Sequence, residues 1–493
     1  MNFSPSKDEF ERISQSFDIV AVHAKFSADS ETPLSAYTKL SDQKPSFLFE
    51  SVVGGEQVSR YSFVGCNPHK IISCGHSETQ IYDRDRGTST TTTPPDPLKL
   101  VEDQMGSLKY HGPDIAQRFS GGAVGYLSYE YANRVESSIP IPSQDEIELP
   151  LLFFMIADSV LIFDHACQTF TISTNVRTNQ ESEDSYDKAC GLIQDILDNL
   201  QKPHSLFPRQ LSEDLVPPIP EGNFTKEEFM VMVEKTKEYI RAGDIIQAVL
   251  SQRFSIPFEG EAVNLYRAIR AINPSPYMFL LEGDDFAIVG ASPEVHVRLT
   301  GDDVLIRPIA GTRPRGANEE EDLENEKDLL ADEKEKAEHL MLVDLARNDI
   351  GRVCKIGSIH AAEFMTIERY SHVMHIVSQV MGKLDKEHNA FDLMRATFPA
   401  GTVSGAPKVR AMQIISEFED LQRNAYAGAL GYFGYDGNHD SCIAIRTAMI
   451  KNKCIHLQAG AGIVADSVPE MEYEETINKA KGMLKAIYMA ANS

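Results

Sequence analysis

The chain has 493 residues, 42% hydrophobic and 24% charged, an ordinary globular composition long enough for more than one domain. Its formal net charge of −26 opposes nucleic-acid binding, which needs a basic footprint, but leaves room for a small anionic substrate held by a local cationic cluster. No apolar run approaches the roughly 20 residues of a membrane span, and the N-terminal MNFSPSKDEFERISQ has no apolar signal region, so a cytoplasmic enzyme with neither nucleic acid nor membrane as partner is expected.

In chain order, Ser46–Glu50 (SFLFE) and 61–64 (YSFV) are strand candidates around a Gly54-Gly55 turn. Residues 86–97 (RGTSTTTTPPDP) are low in complexity and proline-ended, which predicts an exposed loop. Segments 121–129 (GGAVGYLSY) and 149–162 (LPLLFFMIADSVLI) predict buried strands, and 186–200 has helical periodicity. Residues 201–222, with five prolines and little periodicity, predict a linker between an N-terminal region, 1–200, and a second domain, 223–493. That domain opens on a capping-box pattern, Thr225 with Glu228, and a helix running to Ala242 that stops at Gly243. Strands and helices then mix without strict βαβ alternation, which favours an α+β fold. Seven scattered cysteines, none spaced CxxC, predict neither disulfides nor a zinc site.

Residues 319–339 (EEEDLENEKDLLADEKEKAEH) are densely acidic, mostly as a solvated helix face would be. Glu335 and Glu338 share one helix face at i,i+3, and Glu472 and Glu475 repeat that spacing in a second helix whose start suits Pro469. Two such pairs could hold Mg²⁺, which takes few protein carboxylates and keeps positions for water and substrate oxygens. Four surface glutamates would show the same spacing. Three glycine-rich stretches, 307–316 (RPIAGTRPRG), 399–408 (PAGTVSGAPK) and 458–462 (QAGAG), offer backbone N–H groups to anions but match neither a P-loop nor a dinucleotide fingerprint. His375, among apolar residues, reads either as structural or as a base near neutrality; Glu294, in ASPEV, reads either as a strand-start carboxylate or, if desolvated, as a general acid.

Ten segments in order carry a resemblance: GDIIQAVLSQRF (243–254), NPSPYMF (273–279), ASPE (291–294), RPIAGTRPRG (307–316), EKAEHLMLVDLARNDIGRV (335–353), YSHVMHIVS (370–378), PAGTVSGAPKVRAM (399–412), AYAGALGYFG (425–434), CIAIRT (442–447) and QAGAGIVADSVPEMEYEET (458–476). With them the chain resembles the chorismate-utilising enzymes and, within them, the large subunits of anthranilate synthases. The resemblance implies an α+β fold of two facing antiparallel sheets flanked by helices in αββα layers, with an N-terminal subdomain packed on the catalytic core.

It also implies roles, position by position. Glu338 and Glu475 match the principal magnesium ligands, with Glu335 and Glu472 in support, and the ion would hold the ring carboxylate of chorismate. Gly460, Ala461 and Gly462 would add N–H donors to that carboxylate; Arg446 and Tyr426 match residues that hold the enolpyruvyl carboxylate. Gly311, Thr312, Thr402, Lys408 and Lys479 belong to the same substrate pocket, Glu294 matches the general acid, and His375 the base that takes the ring proton. Gln247 stands where water-using relatives carry a lysine, and Ala310 where aminodeoxychorismate synthases carry a lysine nucleophile in PIKGT. Both leave ammonia as the attacking group, to give anthranilate and pyruvate.

An allosteric tryptophan site is implied at Phe49, Glu50, Ser51, Pro276, Tyr277, Met278 and Phe279, with Leu430, Tyr432 and Cys442 nearby; Phe49 departs from the usual leucine. No Gly-x-Cys-x-Gly glutaminase nucleophile is present, so a separate glutaminase subunit would supply ammonia, in a heterotetramer of two large and two small subunits. The absence of tryptophan from the chain suits an enzyme needed when tryptophan is scarce. The alternatives are an aminodeoxychorismate synthase large subunit and a non-catalytic subunit that binds tryptophan or chorismate.

Overall fold

The described residues form two twelve-stranded sheets, and both draw strands from both ends of the sequence. The computed structural model describes residues 1–491 except 43, 53–59, 76, 85, 107, 114–118, 179–183, 205, 208–215 and 371–372, so the Gly54-Gly55 turn and much of the 201–222 linker lie outside the described residues. In the first sheet, Ser46–Glu50 pairs antiparallel with Tyr277–Glu282, setting Phe49 opposite Phe279 and Glu50 opposite Met278. In the second, Gly122–Leu127 pairs with Ala429–Gly434, setting Tyr126 opposite Leu430. Hydrogen bonding therefore runs unbroken across the expected division between 1–200 and 223–493.

The inner faces close on a shared apolar layer. Phe47 and Phe63 of the first sheet meet Phe119 at ring distances of 6.4 and 5.6 Å, and Phe63 meets Tyr432 of the second sheet at 6.0 Å. Each such side chain, once buried, stabilises the fold by roughly 1.5–3 kcal/mol. Helices Pro33–Leu40, Ser185–Leu200, Ala262–Ile272 and Pro469–Ala491 cover the outer face of the first sheet. Glu333–Gly351 and Ala390–Thr397 pack on the second. These are the layers the resemblance implied.

The local expectations meet the same test. Thr225 Oγ1 accepts from the Glu228 N–H at 3.2 Å while Glu228 Oε2 accepts from the Thr225 N–H at 2.9 Å, and the helix ends at Gly243 with φ +81°. The 86–97 expectation fails. Thr88–Thr92 forms an edge strand on Thr79–Asp83. Low complexity suggested a loop, but β-branched threonines favour the extended backbone, and an exposed edge needs no apolar face. All seven cysteines are free, and no helix among the described residues is long and apolar enough to cross a membrane.

Candidate active site

Two helices bring the carboxylate pairs together. Asp332 caps the helix Glu333–Gly351 by accepting from the Lys334 and Glu335 N–H groups at 3.0 and 3.2 Å, which fixes Glu335 and Glu338 on the turns that follow. Gln247, at the head of the strand Gln247–Pro257, donates through Nε2 to Glu338 Oε1 at 3.2 Å. From the helix Pro469–Ala491, Glu475 meets Lys479 Nζ at 2.7 Å, and Lys479 also donates to the Gly460 carbonyl at 3.0 Å. Burial raises the Glu338 pKa, and Glu335 and Glu475 add to the rise; burial raises Glu472 as well, again helped by Glu475. Glu338 thus feels the charges of Glu335 and Glu475, and Glu472 that of Glu475.

No three His, Cys, Asp or Glu side chains stand in a ready-made ligand set among the described residues. The donor chemistry still fits a hard divalent cation. The oxygens are carboxylate, and burial disfavours the ionised forms of Glu335, Glu338 and Glu472, an effect a cation would reverse. In this structure polar and cationic neighbours do that work: Gln247 on Glu338, Lys479 on Glu475, and Arg313 Nη1 at 3.5 Å from Glu335 Oε1.

Glu294 and His375 have the properties of an acid and a base. Glu294 is buried, and its Oε1 accepts from Thr402 Oγ1 at 2.6 Å. Burial pushes its pKa up to about 8, against weaker lowering by that hydrogen bond and by the Lys479 ammonium. It is therefore mostly protonated at neutral pH. His375 Nδ1 lies 2.9 Å from the Gly311 carbonyl. A carbonyl only accepts, so Nδ1 carries the proton and Nε2 of the neutral ring has a free lone pair. Burial lowers the His375 pKa, which keeps the ring neutral near pH 7. The Gly311 carbonyl is turned onto the ring by a bulge in the strand Ile309–Pro314, where Gly311 has φ +72°. A Cβ there would stand 3.2 Å from Glu335 Oε2 as well as strain that backbone.

Of the residues expected to bind anions, the Arg446 guanidinium and the Tyr426 hydroxyl make no hydrogen bond or ion pair among the described residues, although burial lowers the Arg446 pKa. A guanidinium half-buried without a carboxylate, as this one is, suits an anionic ligand. A Cβ on Gly460 would lie 2.8 Å from the Tyr426 hydroxyl, and one on Gly462 would lie 2.5 Å from Gln247 Nε2. The strand Cys454–Ile463 thus presents Tyr426 and Gln247 two residues apart along one face, with Ala461 buried between. Thr312 Oγ1 is 3.1 Å from His375 Nδ1. Glu294 and Thr402 line a cavity of about 360 Å³ with Pro308 and Asp349. Lys408 lies beside it with its charge already engaged, donating to Asp349 at 2.7 Å and to the Thr397 carbonyl at 3.1 Å. Ala310 lies opposite Ile376 and next to the Gly311 bulge.

A second pocket, of about 570 Å³, lies between the sheets. Glu50, Ser51, Pro276, Tyr277, Met278, Phe279, Leu430, Tyr432 and Cys442 all line it, as does Phe49. Glu50 accepts from the Tyr266 hydroxyl at 2.5 Å and from Arg270 Nε at 3.1 Å. Among the described residues, Ser51 Oγ is buried without a hydrogen-bond partner. The sequence reading missed Arg298 and Asp440, whose 2.9 Å pair holds the Tyr277 hydroxyl from both sides, at 2.7 and 2.8 Å. They are cross-strand neighbours, a relation no sequence spacing encodes.

Residues 28–485 match the family described as chorismate binding enzyme. The chain is 45% identical to anthranilate synthase component 1 of Aquifex aeolicus, covering 100% of this chain and 99% of that one. It is 44% identical to the component 1 of Acetivibrio thermocellus, covering 98% of each. Among solved structures, anthranilate synthase component I of Streptococcus pneumoniae superimposes with a TM-score of 0.75 at 37% identity, covering 93% of this chain and 99% of that one. The menaquinone-specific isochorismate synthase of Escherichia coli, at 18% identity, TM-score 0.70 and coverage of 97% and 98%, shares the fold.

Proposed function

The chain belongs to the chorismate binding enzyme family, and from that premise we propose that it is an anthranilate synthase large subunit, converting chorismate and ammonia to anthranilate, pyruvate and water. The observation that carries the choice of nucleophile is Gln247, a neutral side chain fixed on Glu338 where water-using relatives carry a lysine base. With Ala310 beside the bulge, no lysine nucleophile stands there either, which weighs against an aminodeoxychorismate synthase.

Arg446 and Tyr426 hold the enolpyruvyl carboxylate of chorismate, and the backbone at Gly460–Gly462 faces the ring carboxylate. Glu338 and Glu475, supported by Glu335 and Glu472, would hold Mg²⁺, whose charge would neutralise that ring carboxylate. Ammonia adds to the ring as Glu294 gives its proton to the departing hydroxyl, which leaves as water. His375 Nε2 then takes the ring proton while the enolpyruvyl C–O bond breaks, so the ring becomes aromatic and the departing enolate takes up a proton to become pyruvate. Ammonia would come from glutamine through a separate component 2 subunit, as the component 1 names of the relatives suggest.

The test is the purified chain with chorismate, Mg²⁺ and ammonium, read by anthranilate fluorescence. Binding of chorismate without fluorescent product would defeat the reading. Formation of 4-aminobenzoate only after a pyruvate-releasing lyase is added would favour the aminodeoxychorismate alternative.

The second pocket is read as a tryptophan site, its aromatic walls enclosing the indole and Glu50 and Ser51 meeting the amino-acid end. Ser51 Oγ, buried and unpaired among the described residues, is the group that gains most from a ligand. Ser51→Ala is expected to raise the tryptophan concentration for half-inhibition about fivefold, the value of a hydrogen bond worth about 1 kcal/mol, with kcat unchanged. Unaltered sensitivity would remove Ser51 from the site. Because linkage is reciprocal, chorismate should weaken tryptophan binding by the same factor by which tryptophan weakens chorismate binding.

A further inference from the structure

Tyr426 stands in a turn, on no helix or strand, with left-handed backbone on both sides of it: φ 57° at Asn424 and 63° at Ala427. A buried turn of this kind leaves backbone N–H groups that need acceptors. Two are satisfied by a residue far away in the sequence. Glu130, itself buried, accepts from the Arg423 N–H through Oε1 at 2.6 Å and from the Asn424 N–H through Oε2 at 3.1 Å. The neighbouring Tyr129 N–H donates to the Asn424 carbonyl at 2.8 Å.

The Arg423 side chain continues this bracing. Its fully buried guanidinium meets both Glu419 oxygens at 2.7 Å, the Val403 carbonyl at 2.9 Å and the Val249 carbonyl at 2.7 Å. It also stacks between the rings of Tyr129 and Tyr426, 4.5 and 5.7 Å from their centroids. Val403 follows Thr402, the partner of Glu294, and Val249 lies on the strand that Gln247 opens.

We infer that Glu130, which touches no substrate, is a positioning residue of the N-terminal region that sets the Tyr426 turn, and through Arg423 the Thr402 turn, in register with the substrate pocket. This rests on the reading of Tyr426 as a carboxylate-binding group. Glu130→Gln keeps one acceptor oxygen but turns an NH₂ towards a backbone N–H, which loosens the turn while conserving volume.

The experiment is steady-state kinetics on the full chain with ammonium and Mg²⁺, for Glu130→Gln, Tyr426→Phe and the double variant. Glu130→Gln is expected to raise KM for chorismate about tenfold with kcat changed less than about threefold, the signature of lost substrate binding. In the double variant the two KM increases should fail to multiply, because Glu130 acts through Tyr426. An unchanged KM in Glu130→Gln, equal losses in kcat and kcat/KM, or increases that multiply, would overturn the inference. If Tyr426→Phe alone leaves KM unchanged, the role given to its hydroxyl fails, and the KM of Glu130→Gln still decides for or against Glu130. Should Glu130→Gln not fold, Arg423→Lys carries the same cycle, since it keeps a counter-charge for Glu419 and releases the Val403 and Val249 carbonyls.

Discussion

Glu294→Gln should cost about 10²- to 10⁴-fold in kcat with ammonium as nucleophile, the usual worth of a positioned general acid. The variant preserves shape and can still accept from Thr402, so the loss isolates the proton. The pH dependence carries more information than the loss. In the wild type, kcat/KM should rise as His375 becomes neutral, below the ordinary histidine value of about 6.5 because burial lowers it. It should fall as Glu294 ionises at about 8, the value to which burial raises it. A cation on Glu338 would pull that upper limb lower, but only Glu294→Gln should abolish it. The same group makes a stability prediction of opposite sign. Its folded pKa lies above its unfolded value, so the wild type loses stability as pH rises from about 4.5 through about 8, by an amount on the order of 5 kcal/mol once ionisation is complete. Glu294→Gln escapes that loss. It should therefore be less active than the wild type at every pH, yet show a higher Tm at pH 9 with little difference at pH 5. Retained activity with an unchanged upper limb would exclude Glu294 as the acid.

What makes Glu294 an acid was not legible in its own neighbourhood. ASPEV shows a carboxylate at the start of a strand; the desolvation that raises its pKa comes from the rest of the fold, and its hydroxyl partner Thr402 is 108 residues away. The same holds for Lys408, which the sequence offers to a substrate but whose charge is engaged by Asp349 from a different helix. The i,i+3 glutamate pairs were visible because a helix repeats locally, whereas the charge coupling of Glu338 to Glu475 depends on how the rest of the fold places the helices Glu333–Gly351 and Pro469–Ala491. Period and capping fixed the helix after Thr225; composition misjudged Thr88–Thr92, where propensity and low complexity pointed in opposite directions. The continuity of both sheets across the expected domain division was equally hidden, since the pairing of Phe49 with Phe279 follows from register and leaves no mark on either segment. That continuity has a functional side. Glu50 and Met278, paired across it, line the second pocket, and Cys442 of that pocket precedes Ile443, whose N–H donates to the Glu294 carbonyl at 3.1 Å. A ligand that shifts this strand has a direct mechanical connection to the backbone of the acid.

Glu338→Gln should have the other large effect: a fall in kcat/KM on the order of a thousandfold at fixed Mg²⁺, matching the few kcal/mol that a metal ion contributes to neutralising a bound carboxylate. Activity alone would not separate a lost metal ligand from a damaged pocket, because Glu338 also holds Gln247. Two readouts of stability do. In the wild type, a cation that binds only the folded chain raises stability by about 2.7 kcal/mol when present at a hundred times its Kd. At the same Mg²⁺ concentration that increment should fall to about half or less in Glu338→Gln, as a calorimetric Mg²⁺ affinity weakened at least about tenfold requires. Without Mg²⁺ the sign reverses. Glu338 is half-buried beside Glu335 and Glu475; its desolvation and their charges disfavour its ionised form, so the neutral glutamine should leave the metal-free protein as stable as the wild type or more so. A general packing defect predicts loss in both conditions. Equal Mg²⁺ stabilisation of variant and wild type would remove Glu338 from the metal site and return the four glutamates to a purely electrostatic role around Lys479 and Arg313.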